Sequence, residues 1–141
     1  MRVVLDTNLL LSALISSGSV PDRVYRAWED GVFDLLTSEW QLEELRRASR
    51  YPKLRRYVKP HEAEVMVGGL RLGALVLAEL PEVDVAPDPD DNPLLATALA
   101  GEADYLVTGD KSILGLERLE NARILTARSF LDEVIKPARN P

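Results

Sequence analysis

The chain has 141 residues, of which 46% are hydrophobic and 28% charged, a balance typical of a globular protein. It contains no cysteine, which excludes disulfides, thiolate metal sites and cysteine nucleophiles, and its net charge of −6 argues against a strongly basic DNA-coating protein. No apolar run reaches the ~18 residues of a membrane span. The first residues look like a strand rather than a signal peptide, so we expect a cytoplasmic protein.

Strand-like and helix-like patterns alternate along the chain. In chain order, the predicted elements are a strand at Arg2–Leu5, helices at about Thr7–Ile15 and Val20–Asp30, a strand at Phe33–Leu36, helices at about Ser38–Ser49 and Pro60–Leu72, a strand at Ala74–Leu77, a helix at about Asp91–Ala100, strands at Tyr105–Thr108 and Arg123–Leu125, and a last helix at about Ser129–Ile135. This alternation predicts an α/β three-layer sandwich, in which helices flank a mainly parallel sheet of about four to five strands. We expect a single domain over residues 1–141, with the proline- and aspartate-rich stretch "PEVDVAPDPDDNP" as a loop inside it.

Two aspartates follow predicted strands. Asp6 comes directly after the first strand, and Asp110, in "YLVTGD", follows the strand Tyr105–Thr108 after one glycine. Sites in open α/β sheets form outside the carboxyl ends of the strands, so we expect both carboxylates in one crevice. Burying an unpaired charge costs on the order of several kcal/mol, so Asp6 should have a compensating partner.

Two further carboxylates lie on predicted helices. In "DDNPLLATALAG", Asp91 falls at the centre of the apolar stripe, whereas Asp90 points to the side. A helix cap is the ordinary role for such an aspartate, although Asp90 could fill it equally well. Glu44, in "SEWQLEELRRAS", lies at the border of its helix's apolar face, and taken alone it suits a surface glutamate paired with an arginine three or four residues away.

Four carboxylates in one pocket would raise one another's pKa values and could not all stay ionised without a cation. Mg²⁺ or Mn²⁺ would resolve this conflict, because hard divalent cations take oxygen ligands and keep several waters. Such sites activate water for the hydrolysis of phosphodiesters.

The segments "VVLDTNLLLSAL", "EELRR" and "DPDDNPLLATALAGEADYLVTGD", in this order, resemble the PIN domain nucleases. The likeness is closer to their VapC-like branch of bacterial and archaeal toxins from toxin–antitoxin pairs. It implies a metal-dependent ribonuclease whose acidic positions correspond to Asp6, Glu44, Asp91 and Asp110, with Asp6, Asp91 and Asp110 as metal ligands. Around them we expect supporting polar groups, namely Asn8, Asn92, Thr108 and Ser112. Many members carry another acidic residue shortly after the fourth, whereas this chain has "TGDKSIL" there, which leaves a second metal without that ligand.

The segment from Arg46 to Lys59 carries seven basic residues and no acidic one. We expect it to track the RNA backbone, with Tyr51 and Tyr57 stacking on unpaired bases. The predicted nucleic-acid-binding residues are Arg46, Arg47, Arg50, Lys53, Arg55 and Arg56. A solvated helix face and a docking site for an acidic antitoxin are the competing interpretations. Members of the family often form homodimers, so we expect one here.

The leading hypothesis is a Mg²⁺- or Mn²⁺-dependent endoribonuclease, plausible as the toxin of a toxin–antitoxin pair. The main alternative is a nucleic-acid-binding or regulatory domain that keeps the acidic pocket but has lost catalysis, which the missing extra carboxylate favours. A phosphatase with Asp6 as covalent nucleophile has little support, because Asn8 stands where such enzymes carry their general acid.

Overall fold

A six-stranded sheet forms the centre of the computed structural model, which describes residues 1–135. The last six residues of the predicted domain lie outside the described part. The strands are β1 (Arg2–Leu5), β2 (Asp34–Ser38), β3 (Leu75–Leu77), β4 (Tyr105–Val107), β5 (Arg118–Leu119) and β6 (Ala122–Leu125). Their order is β3-β2-β1-β4-β6-β5, and every neighbouring pair is parallel except β5 and β6.

Helices cover both faces of this sheet. They are α1 (Thr7–Ile15), α2 (Val20–Glu29), α3 (Glu39–Ala48), α4 (Pro60–Gly73), α5 (Asn92–Ala100), α6 (Lys111–Leu114) and α7 (Ala127–Ser129). A 3-10 turn, Pro89–Asp91, precedes α5, and a π-helical segment, Phe130–Ile135, follows α7. This is the α/β three-layer sandwich that the sequence predicts. Within residues 1–135, no helix is long and apolar enough to cross a membrane.

The side chains of β1 alternate between two apolar cores, one on each side of the sheet. Val3 and Leu5 join the core under α1 to α4, whereas Val4 joins the core under α5 and α6. This alternation follows from the two-residue repeat of a strand. Both neighbours of β1 are parallel to it, so the strand is covered on every side, and its last residue leads straight into the crevice at the switch of strand order.

Several predicted boundaries hold, and α1 and β1 have the predicted limits. Pro60 begins α4, and Gly101 follows the last residue of α5. The prediction for β2 was wrong at both ends, since the strand runs over Asp34–Ser38 instead of Phe33–Leu36. Phe33 precedes the strand and packs its ring against Phe130, while Ser38 is still in the strand and pairs with Leu77. The Oγ atom of Ser38 also accepts the amide of Gln41 as the cap of α3, at 3.1 Å.

Strand β5, the hairpin that it forms with β6, and the short helix α6 were not predicted. Strand β6 itself was predicted as Arg123–Leu125, and the additional β5 brings the sheet to six strands instead of the expected four to five. Each strand of this hairpin forms only a brief antiparallel ladder, and its turn contains Glu120 in the left-handed region, with φ of 54°. Glutamate is not a usual residue for this conformation, so the turn has no glycine or asparagine signal at that position. The last helix also begins earlier than expected, because Thr126 caps it through the amide of Ser129.

Candidate active site

The carboxyl ends of β1 and β4 are joined by Thr108. Its hydroxyl donates a hydrogen bond to Oδ2 of Asp6 at 2.6 Å and accepts the backbone amide of Asp110 at 3.1 Å. The amide of Asp6 donates to the carbonyl of Val107 at 3.0 Å. Thr108 is fully buried, so one hydroxyl holds both aspartate-bearing loops in fixed positions.

Asp6 itself directly follows β1 and caps α1. Its Oδ1 accepts the amide of Asn8 at 3.3 Å, and its carbonyl accepts the amides of Leu9 and Leu10. Among the described residues, Asp6 forms no ion pair with a basic side chain. The compensation that its charge requires therefore comes from Thr108 and the start of α1, and it includes no positive charge from the residues described.

Asp91 is the least compensated carboxylate of the site. It is half-buried where the 3-10 turn meets α5, and its side chain makes no capping hydrogen bond. Burial raises its pKa to about 6, and the charges of Asp110, Asp88, Asp6 and Asp90 add to the rise. The charges of Asp110 and Asp6 thus act on Asp91, and the helix-cap role considered for Asp91 is not what its side chain does.

Asp110 is compensated by the start of α6. Its Oδ1 accepts the hydroxyl of Ser112 at 2.7 Å, the amide of Ser112 at 2.8 Å and the amide of Ile113 at 3.4 Å. These hydrogen bonds, led by that from the Ser112 hydroxyl, hold the pKa of Asp110 below its ordinary value. Because all three use Oδ1, the other carboxylate oxygen faces no hydrogen-bond donor from residues 1–135.

Glu44 lies in the same region, in an open pocket of about 520 Å³ that we call the acidic pocket. Its acidic lining residues are Asp6, Glu44, Asp90 and Asp91. Asp90 therefore borders the pocket despite its predicted sideways direction. Glu44 forms an ion pair with Arg47, with 2.5 Å between Oε2 and Nη2, so it takes the arginine partner three residues away that the sequence offered.

Of the four predicted supporting polar groups, three lie at the site and one does not. Thr108 and Ser112 contact Asp6 and Asp110 as described, and Asn8 lines the acidic pocket. Asn92 instead holds the preceding loop, because its Oδ1 accepts the amides of Val85 at 3.0 Å and Ala86 at 2.8 Å.

The donor set suits a magnesium-like ion. Asp91 is repelled by its neighbours, and Asp110 has a free carboxylate oxygen, as hard cations require. Within residues 1–135, no three acidic or histidine side chains lie close enough to hold one ion together. Mg²⁺ commonly uses only one or two protein carboxylates and completes its shell with water and substrate phosphate, so this set still fits.

Gln41 is a positioning residue that the sequence analysis missed. It is buried, its Nε2 donates to the carbonyl of Leu5 at 2.7 Å, and its Oε1 accepts the hydroxyl of Thr37 at 2.6 Å. It thereby fixes the end of β1, one residue before Asp6. The backbone amide of Gln41 serves the cap of α3, whereas its side chain binds β1 and β2.

Replacing Gln41 by leucine should destabilise the fold. The change leaves the carbonyl of Leu5 and the hydroxyl of Thr37 without their partner, and each buried unsatisfied group costs about 1–3 kcal/mol. Denaturant unfolding measures the loss. Glu43→Gln, on the exposed side of the same helix, is the matched control and should change the free energy of unfolding by less than about 0.5 kcal/mol. Equal stability of the two variants would contradict the positioning role.

The basic segment, residues 46–59, is only partly free. Arg46 pairs with Glu64 and Glu43, and Arg47 pairs with Glu44. The other predicted binding residues are exposed and form no ion pair among the described residues; they are Arg50, Lys53, Arg55 and Arg56. Tyr51 is 46% exposed and lines the acidic pocket, and Tyr57 is 55% exposed.

Comparison with known proteins defines the class to which this fold and site belong. The sequence profile of the PIN domain matches residues 2–112, and the chain belongs to the PIN domain family. This family has a nuclease-type fold, its members are generally nucleases, and they typically use divalent metal ions, which supports a hydrolase at this coarse level.

One relative can be named more specifically. The chain is similar to "Uncharacterized protein MJ1680" of Methanocaldococcus jannaschii, with 25% identity over 145 residues, 96% of this chain and 93% of the relative. The likeness extends over nearly the full length of both chains, and the relative's name carries no activity.

Proposed function

We propose that this protein is a Mg²⁺- or Mn²⁺-dependent endoribonuclease that acts on RNA in the cytoplasm. The observation that supports this most is the state of Asp91, which has no basic partner among the described residues and a pKa raised to about 6 by burial and by nearby charges that include Asp110 and Asp6, the aspartates that follow β4 and β1. A divalent cation bound there would lower the pKa of water and offset the charge of the phosphodiester. Asp91 and Asp110 would hold it, and Asp6 would act on it through water.

The chain's own residues would orient the reaction. Thr108 and Ser112 fix the carboxylates of Asp6 and Asp110, so these groups need little rearrangement when substrate arrives. Water attacks phosphorus in line, its oxygen forms the new bond, and the bond to the 3′ oxygen breaks. The products are a 5′-phosphate and a 3′-hydroxyl, which takes up the proton. Arg47 binds a substrate phosphate in exchange for Glu44, which is then free to orient the water.

The test is a cleavage assay on short RNA with Mn²⁺, with Mg²⁺ and with EDTA. We expect products bearing a 5′-phosphate with either metal and none with EDTA. RNA binding without metal-dependent products would overturn the proposal and favour the alternative, a binding or regulatory domain. The specific observation on that side is the Glu44–Arg47 ion pair, since Arg47 partly neutralises the acidic pocket without a metal.

We propose that the exposed part of the basic segment binds the RNA backbone. Replacing both Lys53 and Arg56 by alanine should weaken RNA binding and reduce the slope of log affinity against log salt by about 1–2, because one counterion is released for each phosphate neutralised. Binding titrations at several salt concentrations measure this. Arg128→Ala, an exposed basic residue elsewhere, is the control and should leave the slope unchanged. An unchanged slope in the double variant would contradict RNA binding by the basic segment. If an acidic antitoxin peptide bound the wild type but not the double variant, the segment would be a docking site for that partner.

For the predicted homodimer, we propose the outer face of α4 as the contact. Val65 and Leu72 are 71% and 93% exposed, and between them a Cβ added at Gly68 or Gly69 would meet nothing within 4 Å. A second copy of the chain can therefore bring the same apolar face close. Leu72→Glu should convert a dimer into a monomer in light scattering, whereas Val85→Glu, at another exposed apolar position, should not. A wild-type monomer at all concentrations would contradict this contact.

A further inference from the structure

A second groove, of about 490 Å³, adjoins the acidic pocket. It is formed by the first turn of α3, the loop after β3 and the start of α5. We call it the apolar groove, because its lining is dominated by Trp40, Leu80, Val83, Pro89 and Pro93. Its volume falls within the range of sites that bind small organic groups.

The apolar groove and the acidic pocket share three lining residues, Trp40, Pro89 and Pro93. A ligand whose charged part lies in the acidic pocket would therefore reach the groove with the group next to it. In an RNA strand, that neighbouring group is a nucleobase, which is flat and has apolar faces.

The groove also has polar groups suited to the edge of a base. Glu82 offers an acceptor, and Asn92 offers a donor, because its Oδ1 is used by Val85 and Ala86 while its Nδ2 donates to no group within residues 1–135. A mostly apolar lining with a few polar groups is typical of sites that orient a planar ligand.

We propose that the apolar groove binds one unpaired nucleobase of the RNA, stacked on Trp40, next to the phosphate that is cleaved. This inference rests on the proposed function. A base inside a duplex is already stacked and paired, so it would have to leave the helix before it could enter. A hydrophobic peptide would fit the groove's apolar walls, but it would lack the backbone phosphate that Arg47, in the neighbouring acidic pocket, would bind.

The test uses fluorescence titrations at low salt in EDTA, so that binding is measured without cleavage. The chain has two tryptophans, and Trp28→Phe leaves Trp40 as the only tryptophan reporter. We expect a short single-stranded oligoribonucleotide to quench the fluorescence of Trp40. It should bind at least about tenfold more tightly than either the same oligomer with its bases removed or the corresponding duplex. If the intact and the base-free oligomer bind with equal affinity, the proposal is overturned. Quenching of Trp40 by a hydrophobic peptide in that case would assign the groove to a peptide instead.

Variants provide a second measurement. Trp40→Ala should weaken binding of the intact oligomer about tenfold, Trp40→Phe should restore most of it, and Val85→Ala, exposed in the same loop but outside the groove, should match the wild type. If Trp40→Ala does not fold, the base-free oligomer on the wild-type chain decides.

The failures of the two proposals are distinguishable. Base-dependent quenching without metal-dependent cleavage would overturn the nuclease activity and keep the groove. Metal-dependent cleavage that proceeds equally well when the bases beside the cleaved phosphate are removed would overturn the groove alone.

Discussion

Asp6→Asn should lower metal-dependent RNA cleavage by more than about 100-fold while leaving the melting temperature nearly unchanged or raised. The loss is expected because an amide cannot replace the charge that the cation and the transition state require. The fold should tolerate the change, because the asparagine oxygen can still accept the hydroxyl of Thr108. Removal of one negative charge near Asp91 also relieves repulsion.

The measurements for Asp6→Asn are initial cleavage rates in Mn²⁺ and a thermal melt without metal. Asp84→Asn is the matched control, because Asp84 is an exposed aspartate outside the acidic pocket. It should cleave like the wild type. A large drop in the melting temperature of Asp6→Asn would instead assign Asp6 a structural role.

Asp91→Asn should abolish cleavage as well, and it should remove a specific pH dependence of stability. The pKa of Asp91 is about 6 in the folded chain and 3.8 in the reference state, so between these values the folded state binds more protons. Its contribution to stability therefore rises as the pH falls from about 7 to about 4. With partial exposure taken into account, we expect about 1–2 kcal/mol.

The measurement for Asp91 is the difference in free energy of unfolding between wild type and Asp91→Asn from pH 4 to pH 7.5 in EDTA. The difference is needed because other carboxylates, such as Glu64 and Asp110, have lowered pKa values. Their contributions to the free energy of unfolding decrease as the pH falls. The asparagine variant should be the more stable at pH 7, and the gap should close towards pH 4. Mn²⁺ should stabilise the wild type at pH 7 more than this variant. A gap that does not vary with pH would contradict the role of Asp91.

The sequence predicted those parts of the fold that depend on local repeats. The apolar runs of β1 and α1 and the stripe of α5 are strong periodic signals, and their positions followed. The same logic placed Asp6 and Asp110 after neighbouring strands. Strand β5 and the turn after it gave no such signal, because β5 has only two residues and the turn uses Glu120.

The contacts that set the chemistry were harder to predict, since they join residues far apart in the chain. The bond from Thr108 to Asp6 spans 102 positions, and the bond from Gln41 to Leu5 spans 36. A local pattern cannot show either one. The Glu44–Arg47 pair is three residues apart and was visible in the sequence, but spacing alone could not decide between an ion pair and a metal-site glutamate.

The position of β1 has a consequence for the order in which this molecule becomes functional. Of the strands of this sheet β1 is synthesised first, yet one of its two neighbours, β4, emerges from the ribosome about 100 residues later. Until then, one edge of the central strand has no partner, and the carboxylate at its end lacks both the threonine that orients it and the aspartates opposite. Under the proposed function, a growing chain would therefore lack its complete site until β4 has been synthesised.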